Sequence, residues 1–553
     1  MFTKRIPAAL LSLIMVALCL TGCNSPQKAA ESTVATAPAS SPASEKILKL
    51  AVSTPVESLD PLIAGDSVSM GVISNTAEGL FVVDADGKIQ PGQCETYDVS
   101  ADQLTYTFTL RDGLKWSNGE SVTAQDFVYA WQRNATSTGN LSEFQYQIEM
   151  AAIKNQADVL SKKLPVDQLG VKAKDSKTIV MELEHPVPYL LNLLAFTPWV
   201  PVNQAFQTSQ GDQFGVTKDN VLFNGPYLIS DYKIGGNSVT LKKNPDYWDA
   251  DNVNVDTIVF QLISDTQQAV MAYENKDVDN VELTGSLVSQ YSSNPDFTAI
   301  LGGYNCYLMI NTKVDGLDVP EFRQAIAYAI DRASLCGNVL NNGSVPAHNI
   351  TMKGLCSNSS GADFTEASGQ YFDYDTAKAK ELWEKAKAKT KKREITIVYD
   401  QEVDFAANAC AFIQSALQDT LDGLTVKIEA TPKKNRLQLE FDHKYEICLH
   451  RWGPDYADPT AILAMYESKH PSNYSQWKND KFDELYKKAN STDSGNEEAR
   501  WKDLIECNNI CTEQAVCIPL FQTGFAQLTR GNISGHTSHL TGVKCFYKYV
   551  KVQ

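Results

Sequence analysis

The chain has 553 residues, 43% of them hydrophobic and 9% aromatic. That is too long for one ordinary domain core and apolar enough to fold. Its 66 acidic residues outnumber its 49 basic ones, for a formal net charge of −17, which excludes nucleic acid as a partner because phosphates demand a basic surface.

Lys4 and Arg5 open the chain, and an apolar run from Ile6 to Leu20 follows, broken only by Pro7 and Ser12. The run is shorter than the ~20 residues of a membrane span and reads as the core of a secretory signal peptide, residues 1–22. It ends in Leu20-Thr21-Gly22-Cys23, which resembles the lipobox of bacterial lipoproteins. That resemblance implies a diacylglyceryl group on Cys23 and an extracytoplasmic protein anchored to the membrane by lipid alone. From Asn24 to Glu45 the only large aliphatic residue is Val34. Such a segment cannot offset ordering entropy by burial, so 23–45 reads as lipidated Cys plus flexible tether.

Residues 47–53 form a first predicted strand. Leu104, Tyr106, Phe108 and Leu110 alternate with threonines, the period of a strand with one buried face. Asn118-Gly119 supplies a turn, and Thr123 with Asp126 a capping box before a helix carrying Phe127, Ala130 and Trp131. Further strands are expected at 178–183, 238–242 and 257–262. Helices are expected at 320–331 and from Asp375. A strand–helix–strand unit follows at 394–428, then helices near 478–490 and 497–515. The irregular alternation indicates mixed α/β and no repeat. Beyond Cys19 and Cys23 ten cysteines remain, for which buried thiols plus some disulfides are expected, their pairing not deducible. Cys507 and Cys511 have a spacing that suits a metal. No histidine stands at a supporting distance, and the seven histidines are scattered, so no metal site and no cofactor are expected.

The stretch Glu78-Gly79-Leu80-Phe81 through Gln90-Pro91-Gly92 resembles the opening signature of the peptide-type solute-binding proteins of bacterial ABC importers, family 5. The resemblance continues through Tyr106–Gly119 and Val122–Trp131. It resumes at Asn224-Gly225-Pro226-Tyr227, at Lys243–Asp249, at Arg323–Arg332 and at Trp452-Gly453-Pro454-Asp455-Tyr456-Ala457-Asp458-Pro459. It spans essentially 46–553 and is strongest to oligopeptide-binding lipoproteins. It implies an α/β, two-lobed periplasmic-binding-protein-like fold with a hinge and an extra inserted α+β domain. Lobe I would be 46–77, 196–305 and 523–553, the extra domain 78–195, and lobe II 306–522. It further implies a monomer that captures short peptides and delivers them to an ABC permease and ATPase complex.

A binder of many peptides must hold what peptides share: backbone, ammonium and carboxylate. In the resembling family the ammonium partner is the Asp that matches Asp455, which by local chemistry alone reads as a turn residue. Asp458 keeps the turn reading. Ligand backbone pairing maps onto Ala64-Gly65-Asp66 and Arg451-Trp452-Gly453. Trp452 is a candidate pocket wall, and Tyr129 and Tyr273 match positions near the cleft, with core packing an equal alternative. Some relatives carry an Arg six residues before the Asp; here that position is Leu449, which leaves the carboxylate partner open. Other cargoes of the fold are haem, nickel complexes and oligosaccharides, and a peptide-sensing receptor would use the same capture chemistry. No HExxH, GxSxG or phosphate-binding loop occurs, so an enzyme is not expected.

Overall fold

Residues 45–142, 144–233 and 235–553 are described by the computed structural model. The expected signal peptide, tether and Cys23 lie outside the described residues. Strand β1 (Ile47–Val52) buries Leu48 and Leu50. Asp66 then starts helix α1 (Ser67–Thr76), its carboxylate accepting from the Val68 and Ser69 N–H groups at 3.0 and 2.8 Å, donors that a helix start otherwise leaves unpaired.

Next comes a small antiparallel sheet. Strands β2 (Cys94–Val99) and β3 (Thr105–Leu110) precede helix α2 (Ala124–Thr136), and β4 (Val171–Ala173) and β5 (Thr178–Glu182) follow it. The sheet order is β2–β3–β5–β4. The period-two pattern of β3 turns Tyr106, Phe108 and Leu110 into a core that they share with Phe127, Trp131 and Ile179. The expected capping box is present: the Asp126 carboxylate accepts from the Thr123 N–H at 2.8 Å.

The main sheet has eleven strands. Strands β6 (Tyr227–Tyr232), β7 (Ser238–Lys243) and β8 (Thr257–Leu262) lead into helix α3 (Thr266–Glu274) and β9 (Asn280–Leu283). The long strand β10 (Phe297–Ile310) follows. Strand β11 (Glu394–Asp400), helix α4 (Ala406–Thr420) and strand β12 (Thr425–Thr431) form the expected β-α-β unit, with β11 and β12 parallel. Helix α5 (Lys433–Phe441), strand β13 (Ile447–Trp452), helix α6 (Glu497–Glu513) and the long strand β14 (Cys517–Thr529) complete it. The order is β12–β11–β13–β10–β14–β9–β1–β8–β7–β6, with the short strand Val345–Pro346 beside β14.

Only β10 and β14 run through both halves of this sheet. They pair from Phe297 to Leu301 and again from Asn305 to Met309, and the register breaks in between. On one side of the break the core packs Leu48, Val72, Tyr227 and Ile258. On the other, alternate residues of β10 enter two cores: Leu308 and Ile310 join Phe322, Trp383 and Ile413, while Tyr307 and Met309 join Phe364, Phe482 and Leu504. Glycine is required at the break because backbones nearly touch. A Cβ on Gly303 would lie 2.4 Å from the Leu540 carbonyl oxygen, and one on Gly524 would overlap the Gly343 carbonyl.

All ten described cysteines are unpaired thiols, so the expected disulfides are absent among the described residues. Cys94, Cys410, Cys507 and Cys545 fall in four separate cores, where each serves as a small apolar group. Gly524→Ala forces the backbone at Gly343 to shift. Its expected effect is a loss of about 1–3 kcal/mol in denaturant unfolding, with no change in unfolding slope.

Candidate ligand-binding site

In open α/β sheets ligands bind beyond the carboxyl ends of the parallel strands. Two such edges meet here. On one side of the break, the ends of β1, β8 and β9 border a cavity of ≈ 240 Å³ lined by Ser53, Thr284, Phe525, Gln527, His536 and Lys544. On the other, β13 ends at Trp452, and Pro454, which has no N–H, stops the ladder. The turn beyond it carries Asp455 and Asp458.

The two aspartates have opposite fates. Asp458 accepts two hydrogen bonds from the Arg500 guanidinium at 2.7 and 2.8 Å, and bonds from the Thr460 N–H and hydroxyl at 2.9 and 2.6 Å. It is saturated and fixes the turn. Between them the buried Tyr456 ring stacks on Tyr189 at 4.0 Å, tying the turn to the segment that follows β5. Asp455 is half-buried and accepts one hydrogen bond, from the Tyr146 hydroxyl at 3.2 Å. Among the described residues no cation reaches it. Burial raises its pKa, and the Tyr146 bond only partly opposes that.

Asp455 faces a cavity of ≈ 80 Å³ whose walls come from three parts of the chain. Val83 and Phe196 come from the segments before and after the small antiparallel sheet, Gly354 from the segment between β10 and β11, and His539 and Leu540 from the C-terminal segment. Burial lowers the His539 pKa and so disfavours its charged form, against a smaller opposing pull from Asp84. The volume suits an end group rather than a whole ligand. A third cavity, ≈ 400 Å³ and lined by His348, Lys353, Glu366 and Gln522, adjoins the Asp455 cavity through Lys353-Gly354.

The other expected residues divide. Arg451, Trp452 and Gly453 lie on the approach to Asp455. Trp452 donates from Nε1 to the Ala461 carbonyl at 3.0 Å and packs partly into the core. Gly453 admits the Tyr304 ring, which would stand 2.9 Å from a Cβ. Ala64 and Gly65 use their N–H groups on Asp60 and Ile63 at 3.1 and 2.8 Å, and the Asp66 carboxylate caps α1. That segment leads into Ser67, which borders the ≈ 240 Å³ cavity. Tyr129 donates to Gln207 at 2.6 Å. Tyr273 is buried, its hydroxyl on Asp296 at 2.5 Å and its ring under Arg530. Neither tyrosine lines the Asp455 cavity. Tyr146, Gly354 and the 539–543 segment escaped the sequence reading, because no motif or periodicity marks them.

One buried cluster has metal-like donors. Glu440, Cys448 and His450 offer ligand atoms within 4.8 Å of one another. The Arg436 guanidinium already stands among them, 2.5 Å from Glu440 and 3.2 Å from His450 Nδ1, and supplies the positive charge. Cys507 and Cys511 are buried in the core beside Leu504.

Residues 88–474 match the model of the bacterial extracellular solute-binding proteins, family 5. The chain belongs to this family. It is 32% identical to a dipeptide-binding protein of Lactococcus lactis subsp. cremoris over 81% of this chain and 84% of that one. It is also 32% identical to the oligopeptide-binding protein OppA of Bacillus subtilis, over 79% and 81%. The structure of Listeria monocytogenes OppA bound to peptide is 31% identical and superposes with a TM-score of 0.71 over 92% of this chain and all of that one. The fold is the two-lobed, mixed α/β fold of this family.

The contrast between the aspartates is measurable in the empty protein. Asp458→Asn leaves a buried guanidinium short of its partner and should lower stability by about 3 kcal/mol or more. Asp455→Asn should leave the melting temperature unchanged or raise it. A carboxyl with a raised folded pKa stabilises the fold while protonated, and that contribution is lost as pH rises through the folded value. The asparagine removes the pH dependence and the penalty together.

Proposed function

We propose that this protein captures short peptides between its two lobes, by their ammonium end at Asp455, and delivers them to an ABC permease. The observation that carries the reading is a half-buried carboxylate with no cation among the described residues. Such a group is held ready for a cation brought by the ligand. A protonated amine fits, since it adds a charge-assisted hydrogen bond where the protein supplies none. The names of the relatives, dipeptide-binding and oligopeptide-binding, point the same way.

The family is one of solute-binding proteins, and we read the chain as a carrier without catalytic activity. Its lobes would be 46–77, 196–305 and 523–553, and 306–522, with 78–195 inserted. Peptide bridging both lobes stabilises the closed arrangement. Ala64–Asp66 and Arg451–Gly453 would offer backbone groups to the ligand from opposite sides. No helix among the described residues is long and apolar enough to cross a membrane. Attachment through a lipid on Cys23 would keep the carrier beside its permease, and mass spectrometry of the membrane-derived protein would detect the acyl groups.

Two results test the ammonium assignment. Asp455→Asn should weaken binding of a short peptide by about a hundredfold or more, as expected when one partner of a buried charge pair is removed. N-acetylation of the peptide should weaken wild-type binding to a similar degree. In wild type, affinity should fall as pH drops through the raised Asp455 pKa, because the protonated carboxyl no longer pairs with the ammonium. Calorimetric titration at several pH values measures both. Wild-type affinity in the asparagine variant contradicts the assignment.

A further inference from the structure

We infer that Glu78 is a positioning residue for the binding site: a buried carboxyl at the joint between two packed cores, whose uncharged form holds the Asp455 turn in place against the rest of the site. This rests on the peptide reading above and adds to it a residue outside the Asp455 cavity, with a pH signature of its own.

The joint lies where the chain leaves the main sheet and returns to it. It leaves after α1, at Thr76-Ala77-Glu78, and returns at Asn224-Gly225. The two crossings are laced together. Asn224 and Gly225 donate from their N–H groups to the Thr76 carbonyl at 3.1 and 3.0 Å. The Asn224 side chain accepts from the Glu78 N–H at 3.1 Å and donates to the Glu78 carbonyl at 3.0 Å. Packing here is tight: a Cβ on Gly92 would lie 2.8 Å from the Gly79 carbonyl oxygen and 3.2 Å from the Glu78 side chain.

Each side of the joint carries part of the site. Directly after Glu78, Leu80 and Phe81 enter the core that also takes Ile148, Leu190 and Tyr456. Tyr146, whose hydroxyl donates to Asp455, packs against that core. On the other side, Tyr247 belongs to the core of Leu48, Val72 and Tyr547, and Tyr547 lines the ≈ 240 Å³ cavity. Glu78 spans the two. It is 1% exposed, and its carboxyl accepts from the Tyr247 hydroxyl at 2.5 Å and from Trp248 Nε1 at 2.7 Å.

Among the described residues no cation pairs with this carboxyl. Lys548 pairs with Asp249 at 2.5 Å. Arg111 stacks 3.9 Å over the Trp248 ring and donates from Nε to the Gly92 carbonyl. A carboxyl enclosed without a counter-charge favours its neutral form. Burial lifts the Glu78 pKa to about 7, against the opposing pull of Tyr247, Lys548, Trp248 and Arg111. Tyr247 and Tyr549, which also face it, are pushed up by burial. As pH rises through that value, any arrangement that admits water to the carboxylate gains on the packed one. The joint then loosens, and the Asp455 turn loses its fixed place relative to the ≈ 240 Å³ cavity.

The test is calorimetric titration of the full chain with trialanine from pH 5.5 to 8.5, with thermal melting of the empty protein over the same range. It compares wild type, Glu78→Gln and Tyr247→Phe. Glutamine has the shape of the protonated acid and no proton to lose. Comparing variants at each pH cancels the titration of the peptide's own amine. The expected result is that Glu78→Gln binds like wild type at pH 5.5 and roughly fivefold or more tighter than wild type at pH 8.5. Its melting temperature rises relative to wild type over the same interval. A raised folded pKa gives stability that is present at acid pH and lost as pH rises through about 7. Tyr247→Phe removes a hydrogen bond that favours the charged form, so the midpoint of both effects moves to higher pH. A melting difference between wild type and Glu78→Gln that does not change with pH overturns the inference. So does a melting difference that changes with pH while the two affinities stay equal throughout, since Glu78 then serves the fold alone. Failure of trialanine to bind wild type at any pH overturns instead the peptide reading on which the inference rests.

Discussion

The site depends on one ion pair that takes no part in it. Arg500, on α6, holds Asp458 with two hydrogen bonds inside the protein. Two parallel N–H donors fix position and orientation together. Once Asp458 is fixed, the turn from Gly453 to Pro459 has little freedom, and the Tyr456–Tyr189 stack fastens its crest to the segment that follows β5. Asp455 can then be kept half-buried without a cation, because the energy that holds it there comes from its neighbours. An electrostatically unfavourable group persists where its surroundings over-determine its position.

The second constraint is covalent. β10 and β14 alone run through both halves of the main sheet, and their pairing breaks at Gly302–Tyr304. Two strands without a continuous ladder between them resist bending less than a paired ribbon. The packed cores on either side share few side chains with the break itself. Rotation about this line would change the gap between Asp455 and the cavity at the ends of β1, β8 and β9. A ligand touching both sides then selects one arrangement by its differential contacts, as any two-state change requires.

Much of the fold was legible because it obeys local rules. The alternation in β3, the Thr123–Asp126 capping box and the 394–428 unit each have a short-range physical cause, and each stands where expected. β10 was not legible. Its run Phe297-Thr298-Ala299-Ile300-Leu301-Gly302-Gly303-Tyr304 carries two glycines that argue against a strand, and only the backbones of Leu540 and Thr523 explain them. At the site, Asp455 was indicated by the resemblance while its local chemistry suggested a turn. What separates it from Asp458 is Arg500, forty-two residues away in sequence from Asp458, a relation no spacing rule contains. Tyr146 and Leu540 were invisible for the same reason. Asp66 shows the reverse: its carboxylate serves the start of α1, as an Asp before a helix ordinarily does. Tyr273 is likewise committed to Asp296 and Arg530.

The central claim is that Asp455 is a carboxylate kept without a counter-charge until a ligand brings one. Carbon-detected NMR titration of the Asp455 carboxyl, in the empty protein and in the peptide-loaded protein, tests it most directly. The expected result is a pKa above the ordinary aspartate range in the empty protein, from burial, and a marked fall when peptide binds, as an adjacent ammonium favours the charged form. An ordinary value in the empty protein, or one that peptide leaves unmoved, would contradict it.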